Sequence, residues 1–172
     1  MKWPAGTGAV AAAVAIGSMA LAGCAAQEQS GSLAHRVTSW VAGAGAGSSI
    51  GTVEVDIKNV NLAFRQSDPP GEIRSVCGLV VTDAGTANGN LPTPDQQLSD
   101  DLSAAYATAY DAGTDCYNGA NGDKKLLATS TALRAKAQSQ MATALDRITA
   151  VTGKVPSTTT TTAPANIDPF GN

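Results

Sequence analysis

The stretch TPDQQLSDDLSAAYATAYDAGTDCY, residues 93–117, has the clearest helical pattern in the chain. Thr93 is a favourable N-cap, Pro94 suits a first turn where its missing N–H costs nothing, and Gln96 completes a capping box. The carboxylate of Asp95 suits the positive end of the helix dipole. We therefore predict a helix that starts after Thr93. Its apolar stripe consists of Leu98, Leu102, Ala105, Ala109, Ala112 and Cys116.

Downstream, the segment from Gly119 to Gly122 interrupts this pattern, and a longer helix is predicted from about Asp123 to Thr152. Its apolar face consists of Leu126, Leu133, Ala137, Met141, Ala144, Ile148 and Val151. Basic residues outside this face are predicted to stay solvated, namely Lys124, Lys125, Arg134, Lys136 and Arg147. The tail, residues 155–172, is rich in Thr and Pro, and its composition fits either plain disorder or an O-glycosylated stalk.

Upstream, a first helix is predicted to begin after Ser30 or Ser32 and to end in the glycine–alanine run 43–47. Its apolar face consists of Leu33, Val37, Trp40, Val41 and Ala44. The segment GSSIG, residues 47–51, matches the G-x-S-x-G pattern of serine hydrolases, which requires a preceding strand and a later histidine. A Gly/Ala run precedes it instead, and the single histidine, His35, lies upstream. We interpret this segment as a flexible loop between helices.

Residues 49–66 fit two patterns. The alternation around residues 52–58 is typical of a strand, but it breaks at Asn59-Val60. A helical face fits the longer window and therefore favours a second helix. That face consists of Ile50, Val53, Ile57, Val60 and Phe64.

A third helix is predicted from about Gly71 to Ala84, after a turn at Asp68-Pro69-Pro70-Gly71. Alternatively, this turn segment starts the helix, with Asp68 as its N-cap and Pro69 in its first position. A loop with a turn at Asn88-Gly89 would follow it. A short buried strand at 76–82 is the alternative, because this segment contains β-branched valines. The sequence thus predicts an all-α fold, a small antiparallel bundle of four to five helices spanning residues 32–154.

The N-terminus has the features of an export signal. Lys2 and an apolar run of small residues precede Leu21-Ala22-Gly23-Cys24. This stretch resembles a bacterial lipoprotein signal. The resemblance implies that a signal peptide, residues 1–23, is removed and that Cys24 is acylated with diacylglycerol and fatty acid such as palmitate. Residues 24–31 would then form a lipidated flexible tether. An ordinary secreted protein is the alternative.

Charge and cysteine content agree with export. Removal of residues 1–23 takes away one Lys, which leaves 10 basic and 14 acidic residues and a net charge of −4. This balance argues against nucleic-acid binding and against electrostatic attachment to anionic lipid. With Cys24 assigned to lipid, Cys77 and Cys116 remain as an even pair, which in an exported protein indicates a disulfide. Two free buried thiols are the alternative.

The chain also resembles a group of uncharacterised actinobacterial exported lipoproteins. The resemblance extends from about Cys77 to Pro164 and rests on these motifs: Cys77, Asn90-Leu91-Pro92-Thr93-Pro94-Asp95, Leu98, Ala105-Tyr106, Asp115-Cys116-Tyr117, Leu126-Leu127 and Ala150-Val151-Thr152-Gly153. It implies a small exported helical protein with a cysteine pair and a Thr-rich tail. It implies no activity, so no catalytic residue is transferred from it.

Three tyrosines are the best candidates for a contact patch. Tyr106, Tyr110 and Tyr117 follow one another at spacings of 4 and 7, so they share one helical face. Tyrosine is enriched at binding surfaces, although packing against a neighbouring helix is the alternative. We predict no catalytic residues, no metal site and no cofactor. His35 alone cannot form a zinc site, and the aspartates at 111, 115 and 123 do not match a calcium-binding loop.

We therefore expect a non-enzymatic lipoprotein, anchored to the extracytoplasmic face of the cell membrane, that binds or scaffolds an envelope protein or glycan. One alternative is a carrier whose helical core holds a small apolar ligand. Its cavity would be lined by Val60, Phe64, Val80, Leu102 and Met141. The other alternative is an enzyme, in which Asp83, Asp95, Asp111 or Asp115 would converge with His35.

Overall fold

The computed structural model describes residues 31–43 and 46–155, and every regular element within these ranges is an α-helix. The five helices are α1 (Leu33–Ala42), α2 (Ala46–Gln66), α3 (Pro70–Asn88), α4 (Gln96–Gly119) and α5 (Lys124–Thr152). The prediction of an all-α bundle is confirmed. The predicted signal peptide, the lipid-attachment residue Cys24, most of the tether and all but the first residue of the tail lie outside the described ranges.

Helix α1 begins at a serine cap, whereas α2 begins in a segment that was predicted to be a loop. Ser32, one of the two serines predicted, is the N-cap of α1, because its Oγ accepts a hydrogen bond of 3.3 Å from the backbone N–H of His35. The prediction of a flexible loop over residues 47–51 is wrong, since this segment forms the first turns of α2. The strand alternative at 52–58 is also excluded. A helix buries one continuous face there, formed by Ile50, Val53, Ile57 and Val60.

Helix α3 starts one residue earlier and ends four residues later than predicted. Its N-cap residue is Pro69 and its first helical residue is Pro70, not Asp68 and Pro69. Proline is favoured at this first position because its missing N–H has no helical partner. The helix continues past Ala84 because Ala87 extends the buried face by another turn. The alternative strand at 76–82 lies within this helix.

The start of α4 differs from the predicted capping box. Asp95, not Thr93, is the N-cap, and its Oδ1 accepts a hydrogen bond of 2.7 Å from the backbone N–H of Leu98. The Thr93 hydroxyl instead bonds to the backbone C=O and N–H of Asp95. Gln96 is the first helical residue, and its amide donates to Asp100 rather than back to the cap. The ionised carboxylate of Asp95 is the stronger acceptor for the free N–H groups.

Helix α5 has the bounds that the sequence predicts. The carboxylate of Asp123 accepts hydrogen bonds from the backbone N–H groups of Lys125 and Leu126, at 3.0 and 3.1 Å. Gly153 ends the helix with a left-handed φ of 69°, a conformation that glycine adopts without a Cβ clash.

Helices α3, α4 and α5 pack as successive antiparallel neighbours. Cys77 of α3 lies opposite Cys116 of α4 with a Cα–Cα distance of 5.7 Å, and the predicted disulfide between them is confirmed. The core between the helices contains many small side chains. Its fully buried members include Val53, Ile57, Val80, Leu98, Leu102, Ala105, Ala109, Met141 and Ala144. Within the described residues, no helix combines the length and the apolar character needed to cross a membrane.

Candidate functional site

Two exposed tyrosines of α4 lie beside two glycines of α3. A Cβ placed on Gly78 would be 3.8 Å from Cδ2 of Tyr117, and one placed on Gly85 would be 4.0 Å from Cδ2 of Tyr110. Because each pair of equivalent residues is separated by seven positions, the two contacts repeat after two helical turns. Tyr110 and Tyr117 retain 45% and 40% of their exposure. We call this surface, formed by Gly78, Gly85, Tyr110 and Tyr117, the tyrosine face.

A cation lies at one end of the tyrosine face. The guanidinium carbon of Arg74 is 4.3 Å from the ring centroid of Tyr117. Such cation–π contacts at exposed sites contribute about 0.5–1 kcal/mol. The contact orients the ring of Tyr117 and places a positive charge beside it.

A groove of about 320 Å³ opens at the other end, beside Tyr110. It is lined by Ala84, Gly85, Asn88, Tyr106, Ala107, Tyr110 and Asp111. The lining combines an exposed aromatic ring with an amide and a carboxylate, and Gly85 contributes no side chain to it. The groove can therefore offer both an apolar surface and hydrogen-bonding groups to a ligand.

Tyr106 does not belong to an exposed contact patch, although the helical spacing placed it there. It is 1% exposed and is part of the core. Burial raises the pKa of its hydroxyl above the usual value. Tyr106 and Tyr117 have nearly the same angular position on α4, but the neighbours that cover this face differ along the helix. Periodicity in one helix does not contain that information.

A second groove, of about 480 Å³, lies between α2 and α5. We call it the arginine groove, and its lining consists of Asn61, Phe64, Arg65, Leu127, Ala128, Thr131 and Arg134. The prediction that Arg134 stays solvated is wrong, because Arg134 is only 4% exposed. Spacing from the buried Ala137 and Met141 could have indicated its position on the inner face. Its charge argued for the opposite.

Two carboxyl groups meet between α2 and α3. Asp56 is 6% exposed, and its carboxyl group lies beside that of Asp83. Burial, together with the hydrogen bond and the charge of Asp83, raises the pKa of Asp56 to about 7. Sequence analysis missed this pair. The spacing of Asp56 between Val53 and Val60 on the buried face was the available signal.

The residues considered for an enzyme have other neighbours. Asp83 contacts Asp56, and Asp95 forms an ion pair with Arg147. His35 and Asp111 are exposed on α1 and α4. Across residues 31–43 and 46–155, no three histidine, cysteine or acidic side chains are grouped closely enough to hold a metal ion.

No family model, no curated protein and no solved structure matches this chain. The resemblance to actinobacterial exported lipoproteins therefore stays an expectation based on the sequence motifs.

Proposed function

We propose that this chain is a non-enzymatic, lipid-anchored extracytoplasmic protein that binds a cell-envelope glycan through the tyrosine face and its groove. The anchor would be the acylated thiol of Cys24 in the sequence Leu21-Ala22-Gly23-Cys24. Acyl chains bind membranes through buried methylene groups, at about 0.8 kcal/mol each. This attachment would hold the helical domain near the cell wall.

The single observation that supports binding is the pair of exposed rings, Tyr110 and Tyr117, ordered over glycines of α3. A rigid aromatic ring gives contact area at a small cost in conformational entropy. Sugars offer C–H faces to such rings and hydroxyl groups to amides and carboxylates. Asn88 and Asp111 supply these polar groups beside Tyr110. This combination favours a glycan over a purely apolar ligand.

The carrier alternative has less support. Val60, Val80, Leu102 and Met141 are each at most 1% exposed, and none of them lines the two grooves described above. Phe64 alone lines a groove, and that groove lies at the surface. The available surfaces thus favour a ligand on the outside of the bundle.

Co-sedimentation with isolated cell-wall sacculi tests the proposed binding. We expect Tyr110→Ala to reduce the bound fraction strongly and Tyr117→Ala to reduce it less, because Tyr110 borders the groove. Leu62→Ala is the matched control, since Leu62 is 42% exposed on α2, away from this face. Equal sedimentation of all four proteins would contradict the proposal. A photo-crosslinker at position 110 that captured an envelope protein would replace the glycan with a protein partner.

Cell fractionation tests the anchor separately. We expect Cys24→Ala to move the protein from the membrane fraction to the medium, because the thiol that holds the lipid is lost. An unchanged membrane fraction would contradict lipid anchoring while leaving the binding test unaffected.

A further inference from the structure

The side chain of Arg134 is a buried cation whose partners are all neutral. Its Nε donates to Oδ1 of Asn61 at 2.9 Å, Nη1 donates to Oγ of Ser130 at 2.7 Å, and Nη2 donates to Oγ1 of Thr131 at 3.1 Å. The ring centroid of Phe64 is 5.3 Å from its guanidinium carbon. These contacts satisfy three of the five N–H groups of a guanidinium.

In the part of the chain that the structure describes, Arg147, unlike Arg134, has an acidic partner that balances its charge. Arg147 is more exposed and nevertheless forms a two-point ion pair with Asp95. Arg134 is almost fully buried, and within the described residues no carboxylate pairs with it. Burial lowers the pKa of Arg134, and no neighbouring acid opposes that effect. Because a buried charge is costly without an opposite charge, an anion bound beside Arg134 would lower the cost of burying its guanidinium.

The surroundings of Arg134 provide access for such a partner. The arginine groove contains a second cation, Arg65, which is exposed, and none of its seven lining residues is acidic. Phe64, Leu127 and Ala128 form an apolar wall in the same groove. Charge and apolar surface thus occur side by side.

We propose that the arginine groove binds an amphiphile with a single anionic head group, a carboxylate or a phosphate, and an apolar chain. The head group accepts hydrogen bonds from the guanidinium of Arg134 and is attracted by Arg65. The chain packs on Phe64 and Leu127. A fatty acid and a phosphate-bearing lipid share this chemistry.

Calorimetric titration of the purified protein with decanoate and with octyl phosphate tests the proposal and separates the two sources. Binding of either probe supports it, whereas binding of neither probe overturns it. The neutral amphiphile octyl glucoside should bind much more weakly than the anionic probes. Equal affinity for inorganic phosphate and octyl phosphate would overturn the role of the apolar wall.

A charge placed inside the groove provides the decisive variant. Thr131→Asp puts a carboxylate beside Nη2 of Arg134 and should weaken octyl phosphate binding at least about tenfold, equivalent to about 1.4 kcal/mol. Thr143→Asp, at another exposed threonine of α5, adds the same charge 12 positions further along the helix and should leave binding unchanged. Equal affinities for the two variants would overturn the proposal. Arg65→Gln removes the outer cation without touching the core and should also weaken binding.

An NMR measurement tests whether the bound head group lies at the guanidinium of Arg134. The NMR signal of the Arg134 Nε–H should shift on addition of octyl phosphate and should not shift with octyl glucoside. A chain that ends at Val155 should give the same response. If only this shortened chain bound octyl phosphate, the proposal of an external ligand would be overturned. The tail, which contains Asp168, would then be the occupant of the groove in the full chain.

Discussion

Asp95 and Arg147 form a two-point ion pair that links the start of α4 to the last third of α5. Oδ1 of Asp95 is 3.0 Å from Nε of Arg147, and Oδ2 is 2.8 Å from Nη2. The same Oδ1 accepts the backbone N–H of Leu98, so one carboxylate both caps a helix and joins two helices. The hydrogen bond from Arg147 is the main cause that lowers the pKa of Asp95.

Substitutions of Asp95 separate these two roles. Asp95→Asn keeps an acceptor for the helix cap but loses the charge, whereas Asp95→Ala loses both and should cost about 0.5–2 kcal/mol for the cap alone. We expect urea unfolding to rank the proteins wild type, Asn variant, Ala variant in order of falling stability. High salt should reduce the effect of the Asn substitution, since Arg147 is 30% exposed.

Asp100→Asn is the control, because Asp100 is an exposed acid of the same helix. The lowered pKa of Asp95 also determines how stability depends on pH. The contribution of Asp95 to the free energy of unfolding is present above about pH 4 and is lost as the pH falls through the folded-state pKa. Equal stability of the Asn and Ala variants would contradict the capping role.

The pair of Asp56 and Asp83 predicts the opposite dependence on pH. The pKa of Asp56 is raised from 3.8 to about 7, so the folded state holds a proton that the unfolded state has released. The contribution of Asp56 is fully present below about pH 4 and is lost as the pH rises through about 7. We expect the free energy of unfolding to fall by about 1–3 kcal/mol over this window, with allowance for the partial exposure of Asp83.

Asp56→Asn should remove this slope and stabilise the protein at pH 8, because the amide donates a hydrogen bond to Asp83 without titrating. Glu54→Gln on the same helix is the control, since Glu54 faces Lys58 at 3.9 Å in a surface pair. Unfolding measured at several pH values gives the result. A wild-type stability that is flat from pH 4 to 8 would contradict the raised pKa of Asp56.

Helical periods and capping residues predicted the elements of the fold well. The start of α1 was predicted at Ser30 or Ser32 and is found at Ser32, and α5 begins one residue after its predicted start at Asp123. At the start of α4, Thr93 and Asp95 are both good caps. Arg147, which lies 52 residues further along the chain, favours Asp95, and a local pattern cannot include that contact.

The candidate sites depend on similar distant contacts. The spacing that buries Arg134 can be found in the sequence, but its partner Asn61 is 73 residues away. The prediction that Arg134 is solvated gave more weight to its charge than to its position on the buried face of the helix. Asp56 was missed for the same reason. Buried polar residues are therefore found by following the period of the buried face without regard to residue type.

The disulfide between Cys77 and Cys116 should be a large source of stability. The two residues are separated by 39 positions, and the chain-entropy model gives about 4 kcal/mol for a loop of this length. For a domain of this size, its loss should lower Tm by roughly 10–20 °C. Because both cysteines are buried, the bond is reduced in unfolded protein, which is then refolded in the presence of reductant. Thermal melts of the oxidised and the reduced protein measure the effect.

The double variant Cys77→Ala and Cys116→Ala gives the control for the disulfide. Its melting temperature should be low and should not respond to reductant. A wild-type melt that is the same in oxidising and reducing conditions would contradict this role of the bond.

Gly113 lies where α3 and α4 approach each other closely. A Cβ at this position would lie 2.9 Å from Cγ2 of Val81, 3.0 Å from the backbone N of Val81 and 3.1 Å from the carbonyl oxygen of Cys77. Two of these atoms belong to the backbone of α3, which cannot move aside without separating the helices. The nearby disulfide opposes that separation. Alanine should therefore destabilise this position, although it normally stabilises a helix interior relative to glycine by about 1 kcal/mol.

Gly113→Ala should lower the free energy of unfolding by about 1–3 kcal/mol, as expected for overpacking. Gly85→Ala is the matched control in α3, because its Cβ would have no neighbour closer than the ring of Tyr110 at 4.0 Å. That variant should be neutral or more stable than wild type. Urea unfolding of both proteins measures the difference, and an equal change in the two variants would mean that α3 and α4 do not approach more closely at Gly113 than at Gly85.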